Sequence, residues 1–205
     1  MNNKVFITGA SGLLGRSLVE KFTNGGWFVF AHYNRNKGAG SDICEWLPGD
    51  FSTIEKTRNF LDCNKDKLKE CTALINNYGP ITYKSTADIT SSDLISDLHG
   101  NLIVPNEITS YLLKSGNLHS VVNIGFEGVG EIRPYKKILP YAIAKAGLRL
   151  LTLSNESEFP DINFSMVSPS SLTGGEYGKV SGEYTEPDSI AEEIFKIVCS
   201  GDHNV

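Results

Sequence analysis

The chain has 205 residues and a mass of 22.4 kDa, and we predict that residues 1–205 form a single domain with one substantial core. Its content of 40% hydrophobic and 21% charged residues is typical of a globular protein and argues against disorder. The net charge of −5, without any run of Lys and Arg, argues against nucleic acid and anionic membranes as partners.

The four cysteines contain no CxxC spacing, so the sequence predicts no metal site. Sparse cysteine of this kind is typical of a reducing compartment. The apolar run that ends at Thr8 is too short for a signal peptide, and no apolar stretch reaches membrane-spanning length. We therefore expect a cytoplasmic protein that does not engage the membrane.

Short apolar runs alternate with stretches of helical spacing along the chain. The predicted strands cover residues 4–7, 28–32, 43–47, 73–76, 120–124 and 163–167. The predicted helices lie at 14–22, 93–113 and 141–153, and capping-box patterns at 52–55 and 185–188 mark the starts of two more. This alternation predicts an α/β fold with a doubly wound parallel sheet of Rossmann type, six or seven strands wide. Ligands of such sheets bind at the carboxyl ends of the strands.

A glycine-rich turn follows the first predicted strand. Gly9 would permit a tight turn, Gly12 would let a pyrophosphate approach the backbone, and Gly15 would let the next helix pack close to the sheet. Three glycines alone are weak support, because ordinary βα loops contain them too. Their place between a strand and an amphipathic helix nevertheless predicts a nucleotide-binding turn. Its predicted contact residues are Gly9, Ser11, Gly12, Leu13, Leu14 and Gly15.

The end of the second predicted strand bears on the choice of nucleotide. An acid at this place usually holds a free ribose 2′-hydroxyl, whereas a 2′-phosphate calls for a cation. No acid occurs between Trp27 and Ser41, but Asn34, Arg35 and Lys37 do. These cations could also be ordinary solvated loop residues. The missing acid favours NADP(H) over NAD(H), with Asn34 and Arg35 as contacts.

Further motifs follow along the chain. Their shared order and structural context are stronger evidence of function than any single motif. The motifs are Asp50-Phe51 after the third strand, Asn76-Asn77-Tyr78-Gly79 at the end of the fourth, Asn101 in the long helix, the YxxxK pair Tyr141 and Lys145, and Ser168-Pro169-Ser170 with Thr173 after the sixth strand. Together with the glycine turn they resemble the short-chain dehydrogenase/reductase family over nearly the whole chain. The turn's TGxxGxxG spacing is closer to the family's extended and atypical branches than to the more usual TGxxxGxG.

The resemblance implies both chemistry and nucleotide contacts. Residues four apart share a helix face, so the Lys145 ammonium is expected to lower the pKa of Tyr141, which would then transfer a proton to or from the substrate. The family's pattern also implies that Lys145 holds the nicotinamide ribose and that Asn101 positions a water. The further nucleotide contacts that it implies are Asp50, Phe51, Asn77, Gly79, Pro169 and Thr173.

One expected residue is missing. The family places a serine just past the fifth strand, but no Ser or Thr occurs between Val121 and Tyr141, and the expected position falls on Gly125 or Phe126. Candidate replacements for its hydroxyl are the backbone amides of 125–128, the hydroxyls of Ser170 or Thr173, and a hydroxyl on the substrate. We prefer the backbone amides because the glycines permit close approach.

Three functions remain open. The first is an NADP(H)-dependent oxidoreductase that acts on a carbonyl or alcohol of a small molecule, working as a homodimer or homotetramer. The second is a nucleotide-binding family member with little or no catalysis, in a sensing or assembly role, which the missing serine favours. The third is an isomerase or dehydratase that uses the nucleotide transiently, which the spacing of the glycine turn favours.

Overall fold

The computed structural model describes residues 3–131, 134–175 and 183–200. Within them, six parallel strands form one sheet in the order β3-β2-β1-β4-β5-β6. The strands are β1 Lys4–Ile7, β2 Phe28–Tyr33, β3 Cys44–Pro48, β4 Ala73–Asn76, β5 Ser120–Ile124 and β6 Asn163–Val167. The strand order reverses beside β1, which confirms the predicted doubly wound fold. No seventh strand occurs in the described residues.

Helices cover both faces of this sheet. In the described part of the chain they are α1 Leu13–Asn24, α2 Ile54–Cys63, α3 Lys65–Leu68, α4 Ser91–Leu98, α5 Val104–Leu113, α6 Leu139–Glu158 and α7 Pro187–Ser200. A π-helical turn, His99–Ile103, joins α4 directly to α5. None of these helices is both long and apolar enough to cross a membrane.

The alternation of side chains along β1 explains the two-sided core. Val5 and Ile7 belong to an apolar cluster that includes residues of α1 and α7. Phe6, between them, belongs to a second cluster that includes residues of α2 and α5 on the opposite face. A strand buried on both faces needs apolar residues at every position, which is why these strands are nearly continuous hydrophobic runs.

Helices α1 and α6 extend one to five residues beyond their predicted ends, and four further corrections are needed. Strands β2 and β3 each end one residue later than predicted, and β3 also begins one residue later. The predicted capping box at 52–55 is displaced, because Thr53 caps α2 by accepting a hydrogen bond from the Lys56 N–H at 3.2 Å. Thr185 pairs with Leu172 in a short parallel bridge, although Pro187 does begin α7 as predicted.

The long helix predicted over 93–113 is the fourth correction. It begins at Ser91, where Thr90 and Asp93 form a capping box, and the π-turn interrupts it. Within the turn the Val104 N–H donates to the His99 oxygen five residues back, one residue further than in an α-helix. Apolar spacing alone gave no sign of this extra residue.

Candidate active site

The turn between β1 and α1 has the geometry of an anion-binding loop. Gly9 has a φ of +62°, in the left-handed region that favours glycine. A side chain on Gly15 would overlap the backbone of Gly9 and Ala10, so only glycine lets α1 pack this close to β1. Gly12 is the N-cap of α1 and provides no side-chain cap. The N–H groups of the first helical turn are therefore left for a ligand.

The other predicted residues of this turn have distinct environments. Leu14 is buried and anchors α1 in the core, whereas the side chain of Leu13 is 41% exposed. The backbone oxygen of Ser11 accepts a hydrogen bond from Arg16 Nε at 3.0 Å. Contacts from Ser11 and Leu13 to a ligand would thus come from an open surface of the turn.

The end of β4 holds the glycine turn in place. The Asn77 Nδ2 donates to the backbone oxygens of Thr8 and Gly9 at 3.1 and 3.0 Å. The backbone N–H groups of Asn77 and Tyr78 both donate to Thr8 Oγ1, at 2.9 and 3.0 Å. The structure therefore brings two predicted site residues, Asn77 and Gly9, into direct contact.

Sequence reasoning missed a third support of this turn, His32 in β2. Its Nδ1 accepts a hydrogen bond from the Gly9 N–H at 3.0 Å, and its Nε2 lies 3.1 Å from the Gly49 oxygen. The imidazole is almost fully buried and stacks on the ring of Phe51, with centroids 3.8 Å apart. The residue's place near the end of a strand was the available signal, but its partners depend on which strands are neighbours.

Arg35 and Asn34 lie where the sequence predicts, just beyond the end of β2. Both side chains are exposed, as is that of Lys37. The segment after them returns along the sheet edge, where Trp46 Nε1 donates to the Ala39 oxygen at 2.8 Å. An exposed cation at this sheet edge fits a phosphate group, because charge-assisted hydrogen bonds to phosphate are strong.

Asp50 and Phe51 follow β3, but their side chains are already engaged. The Asp50 carboxylate accepts from Lys56 Nζ at 2.6 Å and from the Ser52 N–H at 2.8 Å, and these bonds lower its pKa to about 2. The Phe51 ring is buried against His32. A nucleotide contact by Phe51 would therefore have to come from its backbone and not from its ring.

Tyr141 and Lys145 lie on one face of α6, as the YxxxK spacing predicts. Lys145 Nζ is 5.5 Å from the centre of the Tyr141 ring and donates to the Ile124 oxygen at 2.6 Å. Burial lowers the pKa of Lys145 to about 7. This bond to the end of β5 fixes the lysine at the carboxyl edge of the sheet.

The pKa of Tyr141 is shifted upward, opposite to the lowering that the sequence predicts. Burial raises it, and the nearby Asp97 carboxyl raises it further. The predicted lowering by Lys145 is not found, because loss of hydration dominates the pKa of this buried hydroxyl. The Tyr141 hydroxyl therefore keeps its proton at neutral pH.

Asn101 lies in the π-turn and faces the end of β4. Its Nδ2 donates to the oxygens of Pro80 and Asp97 at 2.7 and 3.1 Å. Its Oδ1 is buried and finds no hydrogen-bond donor among the described residues. That oxygen occupies the space a side chain on Gly79 would fill, so the glycine admits the asparagine. A buried acceptor without a donor fits the expected role of Asn101 in holding a water.

The loop after β5 contains no Ser or Thr in place of the expected serine, and the hydroxyl of Tyr135 in this loop donates to the Gly128 oxygen at 2.6 Å. Phe126 is buried there, and its ring lies 5.4 Å from the rings of both Tyr135 and Tyr141. The preferred replacement is only partly open to a substrate, because the Gly125 N–H donates to the Val167 oxygen and the Glu127 N–H to the Pro169 oxygen, both at 2.8 Å.

The hydroxyls after β6 are also engaged. Ser170 contacts Thr185 and the Glu183 oxygen, and Thr173 Oγ1 donates to a Glu186 carboxylate oxygen at 2.9 Å. Beside them opens a cleft of about 450 Å³, lined in part by Pro169. The predicted residue Pro169 thus lines this cleft, and the predicted residue Thr173 lies beside the bridge between Leu172 and Thr185.

Comparison with known proteins matches this chain to one family. A family model described as short chain dehydrogenase matches residues 3–175. The chain is 26% identical over 212 aligned residues to an uncharacterized oxidoreductase of Bacillus subtilis (strain 168), YmfI, covering 95% of this chain and 84% of that protein. It is 25% identical over 204 residues to 11-beta-hydroxysteroid dehydrogenase-like 3 of Arabidopsis thaliana, covering 91% of this chain and 62% of the plant protein.

Solved structures share the fold. The landomycin C-6 ketoreductase LanV, with bound NADP and rabelomycin, superposes with a TM-score of 0.80 at 18% identity, covering 96% of this chain and 88% of that one. A short-chain dehydrogenase from Leptospira borgpetersenii serovar Hardjo-bovis (strain JB197), with bound NAD+, gives a TM-score of 0.82 at 20% identity, covering 97% and 86%. Structures that bind either nucleotide therefore have this architecture.

Proposed function

This chain belongs to the short-chain dehydrogenase family, and from that premise we propose that it is an NADP(H)-dependent oxidoreductase that interconverts a carbonyl and an alcohol on a small molecule. The observation that carries this proposal is the arrangement of α6, where the buried Lys145 lies beside Tyr141 at the end of β5. Burying an amine costs free energy, and such groups concentrate at functional sites.

The residues that would hold the nucleotide fit it in shape and charge. The uncapped first turn of α1 and the left-handed Gly9 suit a pyrophosphate, and Asn77 holds that turn. Arg35 suits a 2′-phosphate, and no acid occurs between Trp27 and Ser41 to take a 2′-hydroxyl. When bound, the nicotinamide would supply or accept the hydride. Lys145 is the residue on α6 that would contact its ribose.

The remaining chemistry is proton transfer by the chain's own residues. Tyr141 is protonated at neutral pH and would donate to the substrate oxygen during reduction. Lys145, with a pKa of about 7, can exchange a proton near neutrality and would replace the one that Tyr141 gives up. The open acceptor of Asn101 would hold a water that links this pair to solvent.

A second candidate function is nucleotide binding with little turnover, in a sensing or assembly role. The observation that favours it is Phe126, whose ring packs on Tyr141 where the family places a hydroxyl. An oxyanion donor of this kind is typically worth about 10²–10³ in rate. A chain without it could keep the nucleotide and lose most of its catalysis.

We also propose that the chain acts as a homo-oligomer. Ile95 on α4 and Ile143, Leu150 and Leu153 on α6 are exposed apolar residues, and Leu150 is 68% exposed. Burying such side chains between two copies would be favourable. Analytical ultracentrifugation of the chain and of Leu150→Lys checks this: the variant should dissociate, and a monomeric parent chain contradicts the proposal.

The test of the main proposal has two stages. Calorimetric titration with NADPH and NADH shows whether a nucleotide binds. Loss of nicotinamide absorbance in the presence of a panel of ketones and aldehydes, isatin among them, then shows turnover. Binding with turnover supports the oxidoreductase, binding without turnover on any carbonyl supports the second candidate, and absence of binding refutes both.

A further inference from the structure

The imidazole of His32 lies where three segments of the nucleotide site meet. The ring accepts a hydrogen bond from Gly9 in the turn after β1, and it reaches Gly49 in the loop after β3. It stacks on Phe51 with an interplanar angle of 6°, and its edge faces Tyr78 after β4 at a centroid distance of 6.1 Å. One side chain therefore connects the phosphate side of the site with the side that carries Asp50 and Phe51.

The hydrogen bonds fix the charge state of this ring. Because Nδ1 accepts from the Gly9 N–H, the proton must lie on Nε2, which donates to the Gly49 oxygen. An imidazolium has no acceptor, so adding a proton would break the bond to Gly9. Burial opposes that proton and lowers the pKa of His32 to about 4.

The main chain of the same residue holds the next residue of the turn. The Ala10 N–H donates to the His32 oxygen at 2.8 Å. The side chain and the backbone oxygen of His32 thus hold two consecutive N–H groups, that of the left-handed Gly9 and that of Ala10. A turn held at both groups is preorganised, which reduces the cost of ordering it when a phosphate binds.

Few charged or titratable groups surround the imidazole ring of His32. The loop after β3 contributes Asp50, which Lys56 neutralises in a salt bridge. The end of β4 contributes the hydroxyl of Tyr78, and His99 approaches Phe51 from the π-turn by a bond to its backbone oxygen at 3.0 Å. Helix α2 contributes Lys56 to that salt bridge and packs the apolar ring of Phe60 against the imidazole. The Gly9 N–H donates to Nδ1 and not to any of these groups.

We propose that His32 is a positioning residue that couples the phosphate-binding turn to the loop after β3, so that the nucleotide binds only while its imidazole is neutral. This inference rests on the proposed nucleotide-binding function. It assigns His32 no contact with the reacting atoms.

Two variants separate the roles of the ring. His32→Phe keeps an aromatic ring for stacking but removes the acceptor for Gly9. His32→Asn places an oxygen close to where Nδ1 stands, keeps an acceptor and does not titrate. We expect His32→Phe to weaken the binding of NADP+ at about pH 7 by roughly tenfold, and His32→Asn to bind within about threefold of the parent chain.

The pH dependence is the second measurement, made with NADP+ and NAD+ because the oxidised nucleotides survive acid. Affinity of the parent chain should stay nearly constant while the ring is neutral and should fall as pH decreases through about 4, where the ring of the free chain takes up a proton. His32→Asn measured at the same pH values reports the protonation of the nucleotide itself, and its affinity should fall less.

An NMR titration of the His32 ring gives a readout that a purely structural histidine would not show. Binding is reciprocal, so a nucleotide that requires the neutral ring must lower the ring's measured pKa further. An unchanged pKa with bound nucleotide, or parent-like affinity in His32→Phe, overturns the inference and leaves the proposed function intact. If His32→Phe does not fold, His32→Asn and the NMR titration decide. A parent chain that binds no nucleotide at neutral pH overturns both proposals.

Discussion

The ring of Phe126 lies 5.4 Å from the ring of Tyr141, on the loop where the family resemblance predicts a serine. The two aromatic side chains share one apolar cluster with Met166 and Ile138. The candidate proton donor is therefore packed against a ring that cannot donate a hydrogen bond. This packing and the other contacts of the site predict the effects of specific substitutions on the purified protein.

Phe126→Ser should raise the rate of reduction of a simple carbonyl such as isatin, by up to about 10²-fold, because it restores a hydroxyl beside Tyr141. Phe126→Ala is the matched control, since it opens the same space without a hydroxyl. Both variants should lose stability, by roughly 3–5 kcal/mol, because a buried ring is removed. Equal rates in the Ser and Ala variants, with nucleotide still bound, would favour the non-catalytic candidate.

Gly125→Ser is a poorer way to restore the hydroxyl. A Cβ at this position would lie 2.5 Å from Ser168 Oγ and 3.1 Å from Met166 Sδ. The new side chain would have to displace Ser168 before it could approach a substrate. We therefore expect no gain in rate from Gly125→Ser, and a gain larger than that of Phe126→Ser would contradict this interpretation of the loop.

Tyr141→Phe should lower kcat by roughly 10²–10⁴-fold, because the proton donor is lost. It should leave nucleotide affinity nearly unchanged, whereas Lys145→Ala should reduce both. Tyr111→Phe on α5 is the control for loss of a tyrosine hydroxyl elsewhere. Steady-state kinetics and calorimetry measure the two quantities, and full activity in Tyr141→Phe would refute the assignment.

Arg35→Ala should weaken the binding of NADPH by about 1–3 kcal/mol while leaving that of NADH unchanged, because a charged hydrogen bond to the 2′-phosphate is lost. Lys114→Ala removes an exposed cation at the end of α5 and should change neither affinity. Calorimetric titration of both nucleotides decides. If the parent chain binds NADH as tightly as NADPH, the proposed preference is wrong.

Gly15→Ala should destabilise the fold by roughly 1–3 kcal/mol and weaken nucleotide binding, because the methyl group would push α1 away from the backbone of Gly9 and Ala10. Gly40→Ala is a matched control, since nothing lies within 4 Å of its Cβ position. Urea unfolding and calorimetry report the two effects. Equal stability of the two variants would contradict the close approach.

The buried Lys145 makes stability depend on pH in a defined direction. Its pKa is about 7 in the folded chain and 10.5 when solvated, so the unfolded chain holds more protons between these values. Stability should therefore rise with pH across this window, and the cost of the charged form is fully present below it. Lys145→Met removes that cost.

We expect Lys145→Met to be more stable than the parent at about pH 6, by a few kcal/mol at most, and to lose this advantage toward about pH 10. Urea unfolding at several pH values measures the difference. An advantage that stays constant or grows with pH would show that Lys145 is not titrating in the folded protein.

The sequence predicted the sheet well because several strands, such as 4–7 and 73–76, are apolar almost throughout and could be identified without knowing their neighbours. The glycine turn and the Tyr141–Lys145 pair were predictable because their contacts are local. The partners of His32 were not, since they require β2 to lie beside β1 and β3 in a particular register. Phe126 was noted as a departure, but its packing on Tyr141 depends on the path of an irregular loop.

The π-turn His99–Ile103 also divides what looks like one long helix into two helices with different packing partners. Helix α4 packs on α6, the helix of Tyr141, whereas α5 packs on α2. The extra residue of the π-turn rotates the apolar face of α5 by about 100° relative to the apolar face of α4. Asn101 stands at this change of phase, on the segment that joins the helix packed on α6 to the helix packed on α2.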